Sequence, residues 1–502
     1  MPQSRSVRQR LSVATSDLLS TSVRPALDPG ALSVGIVHLG LGAFHRAHQA
    51  AYTEAAMVAS GESDWAICGV SQRSRAVVDE LKPQDGLYTL VERGPTTDYR
   101  VLAPIRELVF AQEESMTLLA RIAASSTRIV SLTVTEKAYR YSAATKRLDV
   151  ADGEVFADAG GRPPVTVVAQ LARGLQQRSR GAGAPVTVIC CDNLINNGGT
   201  LRGLVADFCA LLPAAEGAAL ATWIADNVTF PSTVVDRIVP ATTSADLAEV
   251  AGVLGLDDAA AVVTEPFSQW VIEDNFVTTR PAWQDVGVTF TADVAPYESL
   301  KLRLLNASHS ALAYLGLLAG YEFVGDFVAV DGVEAYLHTL MTTEAASTIV
   351  APSEVDVAAY EAALLNRFTN PGLRHRLQQI AMDGSQKMPV RLLGTLRDLR
   401  AARRPTRCCV LAVAAWMRYL SARHDDAGNA LIIDDPLAAG FASALAGATS
   451  SSTIVQRLLA IETVFGELAD DDELRQHLVA SLDQIGRVGA LAALREVARS
   501  PA

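Results

Sequence analysis

Lys301, Asn306 and His309 follow one another within nine residues, inside the helix-forming stretch Pro296-Tyr297-Glu298-Ser299-Leu300-Lys301-Leu302-Arg303-Leu304-Leu305-Asn306-Ala307-Ser308-His309. On a regular α-helix, at about 100° per residue, Glu298, Lys301, Asn306 and His309 fall within an arc of roughly 140°. Asn306 would stand about 7.5 Å along the axis from Lys301. Leu302 and Leu305 share that arc. The flanks Leu304-Leu305 and Ala311-Leu312-Ala313-Tyr314-Leu315 are strongly apolar, so the helix is expected to be buried. A buried lysine beside polar groups has a depressed pKa, which suits a general base. The alternative is a solvated polar helix face.

The elements that must position such a helix follow from the rest of the chain. With 502 residues it exceeds one ordinary core, and two or three domains are expected. Hydrophobic residues make up 49% and charged residues 20%, as in globular proteins generally. The net charge of −12 argues against nucleic acid as a partner, although a local basic pocket can still receive an anionic substrate. No apolar run reaches the roughly 18 residues of a membrane span. Arg5, Arg8 and Arg10 are not followed by an apolar segment, so no signal peptide is expected. The cysteines Cys68, Cys190, Cys191, Cys209, Cys408 and Cys409 form no CxxC pair and no zinc-like spacing. A reducing, cytoplasmic compartment is the simplest reading, and a zinc-dependent mechanism is disfavoured.

Residues 1–30 read as an irregular arm. Leu32 to Leu39 reads as a buried strand, Gly40-Leu41-Gly42-Ala43-Phe44-His45-Arg46 follows at once, and Ala47 to Met57 reads as a helix. Strand, glycine turn and helix start make a phosphate cradle: the first glycine permits the turn and the second lets the backbone approach a pyrophosphate. The usual third glycine is replaced by His45, and an ordinary turn is the alternative. After the second strand, Trp65 to Val70, the acid that normally holds a ribose 2′-hydroxyl is missing. The loop carries Arg73 and Arg75 instead, with acids only at Asp79 and Glu80. Two arginines there could meet a 2′-phosphate, or be plain surface charge.

Arg128 to Val134 is a further strand, ending in Thr135-Glu136-Lys137, where a loop would face a cofactor. Val186 to Cys191 is another, running into Asp192-Asn193-Leu194-Ile195-Asn196-Asn197. Asn193 could present its amide to a substrate oxygen, or Asp192 or Asn193 could simply cap the next helix. Val228 to Pro240 places Asp236-Arg237 in apolar sequence, where a buried ion pair holding loops together is one reading. Val262 to Phe267 and Trp270 to Glu273 complete a sheet domain. Everything after Pro296 reads as helical, including the polar run Leu373 to Lys387. The expected fold is α/β: a Rossmann-like doubly wound dinucleotide-binding domain over residues 1–293, followed by a mostly α-helical substrate domain over 294–502.

Seven ordered motifs together resemble the long-chain polyol (mannitol) dehydrogenase family over about residues 30–470. They are Gly40-Leu41-Gly42-Ala43-Phe44-His45-Arg46-Ala47-His48-Gln49, Ser131 to Glu136, Cys191-Asp192-Asn193-Leu194, Phe230-Pro231 to Ile238, Glu265-Pro266-Phe267, Lys301 to His309, and Asp383-Gly384-Ser385-Gln386-Lys387. The resemblance implies metal-free hydride transfer with NAD or NADP. It makes Lys301 the general base, and Asn193 and Asn306 the holders of the developing alkoxide. His309 would orient the substrate, Asp236 and Lys387 would bind its outer hydroxyls, and Glu298 would relay the proton. Gly40, Gly42, Phe44, His45, Arg46, Arg73, Arg75, Thr135 and Glu136 would serve the cofactor.

Within the family, mannitol-type members often carry an arginine four residues before Asp-Gly-Ser, where this chain has Gln379. The run Leu373-Arg374-His375-Arg376 is closer to fructuronate reductases, and Arg374 or Arg376 would then grip a carboxylate bidentately. The implied substrate is D-fructuronate/D-mannonate, with D-mannitol/D-fructose as the alternative. The expected partner is a small sugar acid or polyol, with no nucleic acid and no membrane, bound by a monomer or small homo-oligomer. Two rivals remain. Tyr297 to Lys301 also fits the Tyr-x-x-x-Lys of short-chain dehydrogenases, where the tyrosine is the base, but the chain is far longer than that family. A non-catalytic dinucleotide-binding sensor would be expected to lose Lys301, Asn193 or Asn306, and all three are present.

Overall fold

The computed structural model describes residues 8–142, 145 and 147–499; Arg5 and the start of the N-terminal arm lie outside them. The chain divides into two compact units, Met1–Val294 and Ala295–Ala502.

The first unit is built on a six-stranded parallel sheet. Its order is Val228–Thr229, Val186–Cys190, Ile129–Leu132, Val34–Leu39, Ala66–Ser71 and Ile105–Phe110. The first strand in sequence thus lies mid-sheet, with later strands added on both sides, which makes its carboxyl end the switch point where doubly wound sheets bind ligands. The central strands are buried almost throughout, as continuous apolar runs covered on both faces. Alternate residues serve opposite faces. Val37, Leu39, Val130 and Leu132 pack with the helices Ser115–Ala123, Val167–Arg180 and Asn197–Leu211. Ile36, Ile67, Ile129 and Ile189 pack with the helix Gln49–Ser60 on the other side.

The strands Tyr88–Arg93, Thr97–Leu102 and Val262–Thr264 form a separate small sheet, as do Thr233–Asp236, Gln269–Glu273 and Thr289–Thr291. They do not extend the main sheet. The described part of the N-terminal arm is anchored rather than loose. Leu11 and Leu19 are buried against Leu87, Val91, Val250 and Leu254, and the Leu11 amide donates to the Asp257 carbonyl at 2.9 Å. Among the described residues, no helix is long and apolar enough to cross a membrane.

The second unit is helical. Its centre is the helix Ala307–Leu318, buried at every position, packed against the helices Leu377–Ala381 and Arg407–Ala422. The segment leading into it is not one regular α-helix. Ala295–Leu300 is α, Lys301–Asn306 is π, and α geometry resumes at Ala307. The arc computed for a straight α-helix therefore does not apply across this segment, because an i→i+5 turn rotates everything after it. A second π segment, Pro389–Leu393, packs against the first.

Candidate active site

In the N-terminal unit the glycine turn is built as a cradle. Gly40 has φ +108°, and a Cβ there would stand 2.0 Å from the Thr133 carbonyl oxygen. Only glycine fits that close approach. Gly42 precedes the helix Ala43–Ala47 and has open space around it, with nothing nearer than 4.0 Å to a Cβ. These two positions suit a dinucleotide's pyrophosphate. The expected single helix after them is broken at His48 (φ −121°, ψ −89°), and Gln49–Ser60 starts afresh.

Neighbouring side chains turn inward. Phe44 is half-buried and stacks on His48, with ring centroids 5.0 Å apart. His45 is buried and stacks flat on His38, centroids 3.3 Å apart, and burial holds its pKa well below the usual histidine value. Arg46 is buried and spends its guanidinium on the carbonyls of Ala260 and Gly42, while its own carbonyl accepts from Tyr88 Oη at 2.7 Å. The side chains of His45 and Arg46, two residues expected to serve the cofactor, are thus buried. Arg75 is exposed and paired with Glu113 and with Asp79 at 3.1 Å. Arg73 is exposed and makes no ion pair or side-chain hydrogen bond among the described residues.

At the neighbouring strand ends, Asp192 ties two loops together. Its carboxylate accepts from the amides of Val134 and Thr135, each at 2.9 Å, and from Tyr139 Oη at 2.6 Å. Burial raises its pKa to about 6 against the pull of those donors. The tie holds Thr135 at φ +75°, an unfavourable conformation for a β-branched residue. Thr135, Glu136 and Asn193 are exposed. Asn193 does not cap the next helix, which begins at Asn197 after Asn196 at φ +47°. Asp236 is buried at the end of Thr233–Asp236. Arg237 takes Glu92 as its ionic partner and donates to the Glu265 carbonyl at 2.9 and 3.1 Å, so it is a structural clasp.

In the C-terminal unit the π segment carries Lys301 and Asn306, with His309 one turn on. All three are buried, with 7%, 7% and 8% of their surface exposed. Glu298 is half-buried on the preceding helix. Tyr297 donates its hydroxyl to Glu354, and burial together with that carboxylate pushes its pKa up to about 12. That is the wrong direction for a tyrosine base.

His309 lies against Phe368 (centroids 4.9 Å) and edge-on to His375 (5.4 Å, planes at 86°). Burial, followed by the charges of His375, Arg367, Arg391 and Lys301, holds its pKa well below the ordinary value. Its Nε2 is buried without a hydrogen-bond partner. Lys387 Nζ donates to the Ile380 carbonyl at 3.2 Å. The Asp-Gly-Ser motif is fixed by Asp383 at φ +57° and by Gly384, where a Cβ would meet Tyr314 Oη at 2.5 Å.

Arg374 and Arg376 are placed differently from expectation. Both are exposed. The Arg374 guanidinium lies over the Phe323 ring at 3.8 Å, and Arg376 pairs with Glu322 at 2.6 Å. Arg376 bridges Phe323 in extended backbone, so successive side chains point to opposite sides, and His375 takes the inward one. Both arginines expected to grip a carboxylate thus lie on the exposed side of this segment, opposite His375. The cations that act on His309 from other segments are Arg367, in the last turn of Val357–Phe368, and Arg391, in the second π segment. No local motif marks either one; for Arg391 the available signal was its i+4 spacing from Lys387. Among the described residues no three His, Cys, Asp or Glu side chains gather as metal ligands would.

Comparison with known proteins fits this geometry. Residues 34–285 match the family profile "Mannitol dehydrogenase Rossmann domain", and residues 293–486 match "Mannitol dehydrogenase C-terminal domain". D-mannonate oxidoreductase of Escherichia coli K12 is 42% identical over 473 residues, 93% of this chain and 94% of the relative. Mannitol 2-dehydrogenase of Pyrenophora tritici-repentis is 38% identical, over 96% of this chain and 85% of the relative. Among solved structures, the Pseudomonas fluorescens mannitol 2-dehydrogenase ternary complex with NAD and D-mannitol superposes with a TM-score of 0.89. It is 37% identical, with 98% of this chain and all of that chain covered. With a glycine cradle on a doubly wound sheet, a buried lysine–asparagine–histidine segment and two family profiles that between them span most of its length, the chain belongs to the mannitol dehydrogenase family of oxidoreductases.

Proposed function

We propose that the protein interconverts a secondary alcohol of a hexonate and the corresponding ketone, with D-mannonate and D-fructuronate as the pair, without a metal ion. The observation that carries the chemistry is the buried Lys301, Asn306 and His309 on one π-distorted segment. The bound nicotinamide dinucleotide supplies the hydride acceptor, or the donor in reverse. Gly40 and Gly42 would hold its pyrophosphate, and the exposed Arg73 would meet a 2′-phosphate when NADP is used.

Lys301 takes the hydroxyl proton in the oxidative direction and returns it to the ketone oxygen in the reductive one. Asn306 donates its amide N–H to the oxygen as negative charge develops there, and Asn193 is assigned the same role. His309 is neutral, so its unpartnered Nε2 can take part in a hydrogen bond to a substrate hydroxyl without carrying charge. Asp236 and Lys387 bind outer hydroxyls, and Glu298 passes the proton onward from Lys301.

Two observations favour the hexonate. The closely similar D-mannonate oxidoreductase covers nearly the whole chain, and the charged side chains acting on His309 and His375 are cationic. The second reading, D-mannitol and D-fructose, is favoured by the fold match to the mannitol complex. A panel of D-fructuronate, D-fructose and other ketoses, reduced with NADH and with NADPH, tests the proposal. Fructuronate should have the highest kcat/KM; equal or better reduction of fructose would move the assignment to mannitol.

A further inference from the structure

A hexonate substrate brings a carboxylate, and a carboxylate taken out of water needs a positive partner and hydrogen-bond donors. Arg374 and Arg376 are committed to Phe323 and Glu322 on the exposed side of their segment. The guanidinium of Arg391 reaches the helical segment that carries His309. Its Nη1 donates to the main-chain carbonyl of Asn306 at 3.5 Å and to Ser310 Oγ at 3.2 Å. Asn306 and Ser310 flank His309, three residues before it and one after, so Arg391 lies along the same turn. Arg391 is half-buried, whereas Arg367, the other arginine acting on His309, is buried.

Two further features mark this region as a receptor for a ligand. His309 Nε2 and His375 Nδ1 are buried and have no hydrogen-bond partner. Such orphaned atoms are costly unless a ligand or ordered water meets them. The charged groups that lower these two imidazoles are positive as well: Arg367, Arg391 and Lys301 at His309, and Arg367 and Lys387 at His375. Several cations thus act on these two imidazoles although the chain as a whole carries a net charge of −12, a local arrangement suited to an anion.

We propose that Arg391 is the specificity-determining residue of this active site, and that its guanidinium receives the carboxylate of the substrate beside His309. This rests on the hexonate reading above. A guanidinium presents a planar fork of donors that matches a carboxylate, which neither a lysine nor an amide does. Arg391 therefore selects sugar acids over neutral ketoses, while its bonds to Asn306 and Ser310 aim the fork.

The test compares kcat/KM for D-fructuronate and D-fructose in the wild type, Arg391→Gln and Arg391→Lys, with NADH affinity measured by fluorescence titration. In Arg391→Gln the fructuronate value should fall about 30- to 1,000-fold, chiefly through KM, and the fructose value by far less. Arg391→Lys should regain part of the fructuronate preference, and NADH affinity should stay unchanged in both. An equal loss on both substrates would overturn the proposal and leave Arg391 as a staple of the π segment. If Arg391→Gln fails to bind NADH, Arg391→Lys decides: a fructuronate-selective loss supports the proposal and a uniform one overturns it. A wild type that prefers fructose overturns the hexonate reading itself, a result visible before any variant is made.

Discussion

His309 and His375 meet edge to face, ring centroids 5.4 Å apart, and burial together with nearby cations keeps both imidazoles neutral. In the other unit His38 and His45 are likewise buried and stacked. Burial lowers His38 to about 3 and His375 to about 4, with His45 and His309 well below the ordinary value. An unfolded histidine takes up its proton near pH 6.5. At these four positions the unfolded chain therefore binds more protons than the folded one below that pH, which outnumbers the opposite contribution of the buried Glu54 and Asp192 carboxyls, raised to about 7 and about 6. The stability these groups contribute is complete above pH 6.5 and is lost as pH falls from 6.5 towards 4. The urea midpoint should drop over that window. Ring-proton NMR signals of these four histidines should not titrate between pH 8 and pH 5; an ordinary midpoint near 6.5 for any of them would contradict the burial argument for that residue.

Gly40 faces the Thr133 carbonyl at a φ that side chains rarely adopt. Gly40→Ala should abolish measurable dinucleotide binding and cost at least about 2 kcal/mol in stability, from the clash and the strained backbone together. Gly42→Ala, with open space around it, should keep the fold and weaken the dinucleotide alone. Isothermal titration with NADH and urea unfolding separate the two. A Gly40→Ala protein that binds normally would mean the turn is not the cradle.

The two arginines after the second strand should behave differently. Arg75 is already matched by Asp79 and Glu113, whereas Arg73 is exposed without an ion pair among the described residues. Arg73→Glu should lower the NADPH-to-NADH ratio of kcat/KM by about tenfold, the effect of like charge facing a 2′-phosphate. Arg75→Ala should change it by no more than about threefold, as for an exposed pair. The reverse order would show that the Arg75 pairs open for the cofactor.

The parts of this molecule that depend on local pattern were legible in the sequence. The apolar run Leu32 to Leu39 followed by Gly40 and Gly42 dictates strand, turn and helix start, and Lys301 to His309 announces a polar group set in an apolar helix. Parts that depend on tertiary packing were not. A π turn contains the same residue types as an α turn, so nothing in Lys301–Asn306 signals the wider geometry. The sequence does not show that the extended backbone sends Arg374 and Arg376 to the side opposite His375. Arg46 sits in a cofactor motif but is consumed by Ala260, a carbonyl 214 residues away in sequence. Arg237 likewise looked paired with its neighbour Asp236, yet takes its charge partner from Glu92 on another sheet.

The central claim is that Lys301, not Tyr297, moves the proton. Tyr297 is bonded to Glu354 with its pKa pushed up to about 12, so it holds its proton at neutral pH. The decisive measurement is kcat for Lys301→Ala and Tyr297→Phe, with NADH affinity recorded alongside and with a primary amine added to the buffer. General acid–base catalysis is typically worth about 10²–10⁴-fold. Lys301→Ala should lose at least that in kcat, keep its dinucleotide affinity and recover in part with the amine, while Tyr297→Phe stays within a few-fold of wild type. A dead Tyr297→Phe enzyme beside a mildly impaired Lys301→Ala enzyme would contradict the account and place the base on the tyrosine.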